Sequence, residues 1–359
     1  MRLVLWGYYG YNYGDDIMME VILKFLNEKN VKVELVDLFE GRLNEKYGEK
    51  YENVRVIPFY KLNKVEKLKK LMNFSKASLN LWGGGTIFTD VDGDGNYKWF
   101  SLIKLFGGKI GYVGIGIGTM KKKERLKKTK KMLKASSLTI FRDASSLRIA
   151  NTIAKNSKYK IVEDIAYIYF KDLLDNNNYE ICNKDYVLIT WRNLKRYLDF
   201  KDEMKLMDDI IQETEKIMKE RNVPKVILSA LDTRHDIESC RYLYVKLRNR
   251  NIPVEFDIDS NVENISKLIT EAYFHFSGRL HGSIASEIFG TPTYSLSYSP
   301  KMEYFYESIN SKNFMNIYEQ EIDSEIINKV IINNNINLDL NKKVTDAYLN
   351  FKYLFEFLN

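Results

Sequence analysis

The stretch Ser277-Gly278-Arg279-Leu280-His281-Gly282-Ser283 holds the densest chemistry in the chain. It follows an apolar run, 273–277, and opens a segment of helical period that lasts to about Phe289. Backbone N–H groups at a helix start attract anions. Arg279 adds a planar fork suited to phosphate or carboxylate. His281 can exchange a proton near neutral pH. Gly282 is expected to keep the approach open, and Gly278 and Ser283 are counted with it among the donor-binding residues. Arg192, after the run 186–191, and Lys301, in Ser297-Tyr298-Ser299-Pro300-Lys301, stand at two other run ends. Arg192, Arg279, His281 and Lys301 together describe a site for a small polyanion. His275, inside its run, reads as structural. His235, in Leu231-Asp-Thr-Arg234-His-Asp236, is a further candidate for lining the site.

A second constellation lies near the N-terminus: Gly7-Tyr-Tyr-Gly10-Tyr-Asn12-Tyr-Gly14-Asp15-Asp16. Its glycines allow tight turning and close approach to a ligand. The spacing is not that of a dinucleotide fingerprint. One of Asp15 and Asp16 fits a helix-capping role. The other, beside Asn12, fits binding of sugar hydroxyls or acceptance of a proton from one. Gly83-Gly84-Gly85-Thr86 marks a place where side chains would collide with a partner. Gly85 and Thr86 are therefore counted with Asn12, Asp15 and Asp16. Asp90-Val-Asp92-Gly-Asp94-Gly95-Asn96 matches the first half of a calcium loop, but Ser101 stands where the bidentate glutamate belongs. A polar loop is expected there, and no metal. The glycines of 111–118 fit a close helix–strand crossing. No Ser-His-Asp ordering, HExxH, P-loop or kinase set is present.

These groups need strand ends to hold them, and the chain supplies a strand–helix alternation. Apolar runs at 2–6, 31–37, 78–82, 109–117 and 137–141 alternate with segments of helical period, one opening at Asp143. After a polar, Asn-rich stretch the pattern restarts with runs at 186–191, 225–231, 252–258, 273–277 and 293–298. Such alternation predicts mostly parallel sheets covered by helices on both faces. The expected organisation is an N-terminal Rossmann-like domain over 1–172 on the acceptor side and a linker over 173–185. A second Rossmann-like domain over 186–335 takes the donor side. A helix over 336–359 is expected to pack on the first domain. Two α/β halves facing across a cleft resemble the GT-B architecture.

With 359 residues, 45% of them hydrophobic, the chain can build two cores. Cys182 and Cys240 show neither zinc nor disulfide-framework spacing, which suits a reducing cytosol. The first apolar run is too short for a signal peptide, and none approaches a bilayer span. A cytoplasmic protein is expected. The net charge of +7 is concentrated. Residues 121–134 carry nine basic residues against one acidic, and 61–72 form a second basic amphipathic stretch. These suit either a solvated face or an anionic partner, including contact with the inner face of a membrane. Nucleic acid is not expected, because no aromatics interleave the basic runs.

The order of several motifs resembles the polysaccharide pyruvyl transferase family. The first half contributes Gly10-Tyr-Asn12-Tyr-Gly14-Asp15, Gly83-Gly84-Gly85, Gly114-Ile-Gly116, Arg142-Asp143 with Ser145 or Ser146, and Asp164-Ile-Ala166. The second adds Arg192, Asp236, Gly278-Arg279-Leu280-His281 and Tyr298-Ser299-Pro300-Lys301. Ser299 departs from the aspartate common before Pro-Lys. The resemblance implies a GT-B-like fold and transfer of a pyruvyl group from phosphoenolpyruvate onto two sugar hydroxyls, with phosphate released and no cofactor. It implies that Arg279 and His281 handle the donor, Arg279 clamping the anion and His281 acting as acid or orienting it. Lys301 and Arg192 assist, and Asp15 or Asp16 takes the hydroxyl proton. The acceptor is a sugar, lipid-linked or nucleotide-activated. A GT-B glycosyltransferase using a nucleotide sugar, and a non-catalytic glycan-binding protein, are the competing readings. The oligomeric state is left open.

Overall fold

The computed structural model describes the chain except residues 41, 92, 177–183, 259, 260, 320 and 334–337. It divides into two compact units, each with its own parallel sheet.

The first unit comprises Met1–Gly10, Asp15–Lys171 and Leu340–Asn359. Its strands are β1 (Arg2–Trp6), β2 (Lys32–Asp37), β3 (Val54–Pro58), β4 (Leu79–Gly83), β5 (Thr86–Phe88), β6 (Ile110–Ile117), β7 (Leu138–Phe141) and β8 (Lys160–Ile161). The sheet order is β3-β2-β1-β4-β6-β7-β8, with β5 beside β6, and every pairing is parallel. The helices are α1 (Tyr13–Glu28), which starts in the other unit, α2 (Arg42–Tyr47), α3 (Lys64–Phe74), α4 (Tyr97–Leu105), α5 (Lys123–Ala135), α6 (Ala144–Ala154) and α7 (Ala166–Asn176), which ends in the other unit. Helices on both faces bury the central strands, which is why they read as unbroken apolar runs; all eight positions of β6 are buried. Trp6 anchors one face, edge-on to Phe74 at 5.5 Å and Phe59 at 5.6 Å. Gly114 has φ +66°, where β6 shifts register against β7, a backbone state other residues adopt only with strain. The C-terminal helix Leu340–Leu358 belongs to this unit. Phe351 stacks on Phe25 at 4.1 Å, and Lys343 pairs with Glu163 at 2.8 Å.

The second unit comprises Tyr11–Gly14 and Asp172–Asp339. Its strands are β9 (Tyr186–Thr190), β10 (Lys225–Ser229), β11 (Val254–Asp257), β12 (Phe274–Ser277), β13 (Thr293–Ser297) and β14 (Phe314–Asn316). Their order is β11-β10-β9-β12-β13-β14, again all parallel. The helices are α8 (Phe200–Arg221), α9 (Ile237–Asn249), α10 (Val262–Glu271), α11 (Leu280–Phe289), α12 (Pro300–Ser308) and α13 (Ser324–Ile332). Strand order reverses at β9, with β10 and β11 on one side and β12 to β14 on the other. Open parallel sheets bind ligands at the carboxyl ends beside such a switch point. In the first unit the switch lies between β1 and β4.

Two details differ from the sequence reading. The first domain is not a continuous 1–172, because Tyr11–Gly14 joins the second unit through hydrogen bonds from Tyr13 N to Leu231 O (2.8 Å) and from Thr233 N to Tyr11 O (2.9 Å). The expected linker 173–185 begins inside α7, which runs to Asn176, and 177–183 lie outside the described residues. Among the described residues no helix is long and apolar enough to cross a membrane.

Candidate functional site

The carboxyl ends of β9, β10, β12 and β13 carry most of the charged groups singled out above. Arg279 is the residue before α11 and has extended backbone (φ −140°, ψ 143°). Its guanidinium lies side-on to Asp236, with Nε donating to Oδ2 at 2.6 Å and Nη2 to Oδ1 at 2.8 Å. Nη2 also donates to Asp232 Oδ2 at 3.2 Å. Asp236 accepts the Asn193 N–H as well, at 3.1 Å. Asp232 accepts the N–H groups of Arg234 and His235, each at 3.1 Å, and the amide of Asn12 at 3.4 Å. Burial alone would raise the Asp232 carboxyl, but Arg279 and then His235 hold it well below the usual carboxylate range. Burial likewise opposes the charge on Arg279, yet Asp236 and Asp232 outweigh it and keep the guanidinium protonated. The expectation that Arg279 clamps the anion is narrowed by these contacts. Two of its nitrogens are committed to protein carboxylates, because a buried guanidinium requires them.

Arg192 follows β9 and stands over the Tyr298 ring, its central carbon 3.9 Å from the ring centroid. Its Nη2 donates to the Tyr197 hydroxyl at 3.0 Å, and the two tyrosine rings are 5.2 Å apart. Lys301, in the first turn of α12, hydrogen-bonds Tyr298, with Nζ 5.2 Å from the ring centroid. Tyr298 is buried, which by itself would raise its hydroxyl. Arg192, Lys301 and Arg279 reverse this and bring it down to about 8. The sequence reading used Tyr298 only as part of a motif and missed it as a site residue. A tyrosine ending a strand three residues before a lysine was the available signal. The Ser299 hydroxyl is buried without a hydrogen-bond partner among the described residues, so this position adds no charge.

His281 lies half-buried in the first turn of α11. Its imidazole rests against Gly14, where a Cβ would fall on the ring. Asn12 forms an antiparallel bridge with Asp232. It belongs to the second unit beside the charged cluster, which corrects its grouping with the acceptor residues of the first domain. Gly278 and Gly282 are packed on their Cβ sides rather than open there. A Cβ on the first would lie 2.6 Å from Thr190 O, and on the second 2.9 Å from Leu231 Cδ1, so both are packing glycines. Ser283 is also corrected. Its hydroxyl is buried between Ser295 (2.7 Å) and Ser277 (3.0 Å) and braces α11 against β12 and β13. His275 bridges Thr190 and Ser286, and burial pushes its ring down to about 3, so it is neutral and structural. His235 is exposed and bonds Asp232 at 3.2 Å.

In the first unit, Asp16 is buried and accepts the Gly10 N–H. Burial pushes its carboxyl up to about 8, and Oδ2 has no partner among the described residues. A neutral, enclosed carboxyl does not suit the hydroxyl-binding role expected of it. Asp15 is half-buried. A Cβ on Gly85 would lie 2.6 Å from Asp15 Oδ1, and the φ of +80° at Gly85 also requires glycine. Thr86 Oγ1 accepts from Arg142 at 2.9 Å, and Arg142 pairs with Asp164 at 2.8 Å. Asp143 caps α6 as expected, accepting from Ser146 N at 2.7 Å. In the aspartate-rich loop, Asp90 accepts the Lys121 and Lys122 N–H groups and Asp94 that of Tyr97. Asp92 lies outside the described residues.

The family model described as "Polysaccharide pyruvyl transferase" matches residues 12–300. No curated protein sequence matches the chain. Among solved structures, UDP-N-acetylglucosamine 2-epimerase from Rickettsia bellii is similar at 12% identity and TM-score 0.67, over 100% of this chain and 96% of that one. UDP-GlcNAc 2-epimerase from Methanocaldococcus jannaschii is similar at 13% and 0.64, over 99% and 100%. Anabaena Alr3699/HepE in complex with UDP and glucose is similar at 12% and 0.58, over 99% and 96%. At these identities the likeness establishes the fold, two parallel-sheet α/β domains of the GT-B type.

Proposed function

This chain belongs to the polysaccharide pyruvyl transferase family, and we propose that it moves a pyruvyl group from phosphoenolpyruvate onto two hydroxyls of a sugar in a cell-surface polysaccharide precursor. The products are a cyclic ketal and free phosphate. The observation that carries this reading is the cluster at the ends of β9, β12 and β13, where Arg192, Lys301 and Arg279 surround Tyr298 beside the start of α11. The three cations face two carboxylates, Asp232 and Asp236, leaving one net positive charge. A protonated His281 brings the site nearer to balancing a carboxylate and a phosphate. Arg192 and Lys301 do the clamping, while Arg279, pinned by Asp236, fixes the shape of the site.

Ketal formation needs a proton on C3 of the enol, which makes C2 oxocarbenium-like. His281 supplies that proton. The first hydroxyl adds at C2, the C2–O bond to phosphate breaks, and the second hydroxyl closes the ring. Of the two hydroxyl protons, one restores His281 and the other leaves on phosphate. Asp15, one residue beyond Gly14, is assigned the acceptor hydroxyl, with Gly85 and Thr86 nearby. The Tyr298 phenol, titrating near 8, is suited to relay one of the two protons. No cofactor or metal takes part. The test is phosphate release from phosphoenolpyruvate across a panel of lipid-linked and nucleotide-activated sugars. His281→Ala should lower turnover about 10²–10⁴-fold with the fold retained. Near-normal turnover would remove His281 from the mechanism.

A second reading, a nucleotide-sugar enzyme, is favoured by fold neighbours such as the Neisseria meningitidis epimerase bound to UDP-GlcNAc. Thermal-shift titration with phosphoenolpyruvate against UDP-GlcNAc separates the two.

A further inference from the structure

Helix α3 leaves Val65, Leu68 and Met72 exposed at 62%, 45% and 49%, while Leu71 and Phe74 on the same helix are buried. At helical spacing the three exposed side chains share an arc of about 60°. Exposed Lys64 and Lys69 border it at helical spacing, exposed Lys61 and Lys76 stand just beyond the two helix ends, and exposed Glu66 lies on the far side of Lys69. Helix α3 packs on α4 and α4 on α5, so the three form a row on the first unit. Leu105 ends α4 at 76% exposure, and α5 presents exposed Lys123, Lys127, Lys130, Lys131 and Lys134. A solvated helix face explains the lysines but leaves the apolar stripe between them unexplained, since exposing it to water is unfavourable. Apolar side chains ringed by ammonium groups are the pattern of a helix that lies in a membrane interface.

We propose that α3, α4 and α5 form a docking surface for an anionic lipid bilayer. The alkyl side chains of α3 and Leu105 enter the headgroup boundary, and the lysines of α3 and α5 meet lipid phosphates. The surface presents a positive, apolar face to an acidic, apolar-cored partner, which is the complementarity that carries the assignment. A membrane-held enzyme of this kind would meet acceptors carried on a lipid. The docking itself does not depend on the donor chemistry proposed above.

The test is sedimentation of the full chain with vesicles of neutral phosphatidylcholine, or of the same lipid with about 30% phosphatidylglycerol. Binding to the anionic vesicles should be at least about tenfold tighter and weaken between roughly 0.1 and 0.5 M salt. The combined Val65→Ser, Leu68→Ser, Met72→Ser variant should lose about tenfold in binding, as should the combined Lys123→Gln, Lys127→Gln, Lys130→Gln, Lys131→Gln, Lys134→Gln variant. Both should keep phosphate release on a water-soluble acceptor. Absence of vesicle binding, equal binding to both vesicle types, or unchanged binding by the Val65→Ser, Leu68→Ser, Met72→Ser variant would overturn the proposal. Equally tight binding to soluble polyphosphate, unaffected by the Val65→Ser, Leu68→Ser, Met72→Ser changes, would overturn it and reassign the patch to soluble polyanions. Loss of phosphoenolpyruvate turnover in every form of the protein would instead fail the donor reading and leave the docking result standing.

Discussion

Arg279 and Asp236 form a two-point contact, Nε to Oδ2 at 2.6 Å and Nη2 to Oδ1 at 2.8 Å, with the carboxylate fully enclosed. Removing one charge of a buried pair strands the other in a low-dielectric interior. Asp236→Asn should therefore destabilise the second unit by about 3 kcal/mol, the lower end for a broken buried pair, because Asp232 still faces the guanidinium. Urea unfolding measures it. A loss under about 1 kcal/mol would mean that the pair does not hold the site together.

Gly14 and His281 make a second diagnostic pair. Alanine is normally better than glycine in a helix by about 1 kcal/mol, so Gly14→Ala should not unfold α1. Its Cβ, however, would occupy the imidazole position. The prediction is retained stability with turnover lowered about 10²-fold, the cost of moving a reacting group by an ångström. Unchanged turnover would show that the ring's position is immaterial.

Tyr298 gives a pH signature. Its native value, near 8, is depressed from the ordinary 10. Its ionised form is thus favoured by folding, and that stabilisation is full above pH 10 and lost as pH falls through about 8. Relative to Tyr298→Phe, the protein should gain up to about 3 kcal/mol between pH 8 and 10. The same variant should lose turnover and shift the alkaline limb of its pH–rate profile. A purely structural tyrosine would move neither.

Asp16 carries the opposite sign. Its value is raised from 3.8 to about 8, so the native state holds a proton that the unfolded chain releases. The contribution is full at low pH and lost as pH rises from about 4 to 8. Asp16→Asn, which mimics the protonated form, should flatten that slope and be at least as stable as the parent at pH 8. A variant less stable at pH 8 would show that the ionised carboxylate is needed.

The alternation of apolar runs and helical segments located the central strands because both faces of each sheet are covered. Asp143 announced its helix because an N-cap is a local device. Short edge strands such as β8 and β14 were not legible, since few of their residues are buried. Arg279, Arg192, Lys301 and His281 could be found because they stand at strand ends, where topology alone directs them. Their partners could not. Asp236 lies 43 residues before Arg279 and its role exists only after β10 and β12 flank β9. Gly282 and Ser283 were misread because an exposed helix start and a packed one look alike in sequence. Nothing local marks Tyr11–Gly14 as part of the second unit either, since its bonds run to residues more than 200 positions away.

Arg192, Lys301 and His281 are proposed to hold phosphoenolpyruvate beside the start of α11. Calorimetric titration of phosphoenolpyruvate into the protein and into Lys301→Met tests it directly. Phosphoenolpyruvate should bind the parent, and at least about tenfold more weakly once Lys301→Met removes one charge-assisted contact. Phosphoenolpyruvate that fails to bind the parent, or binds Lys301→Met equally well, would contradict it.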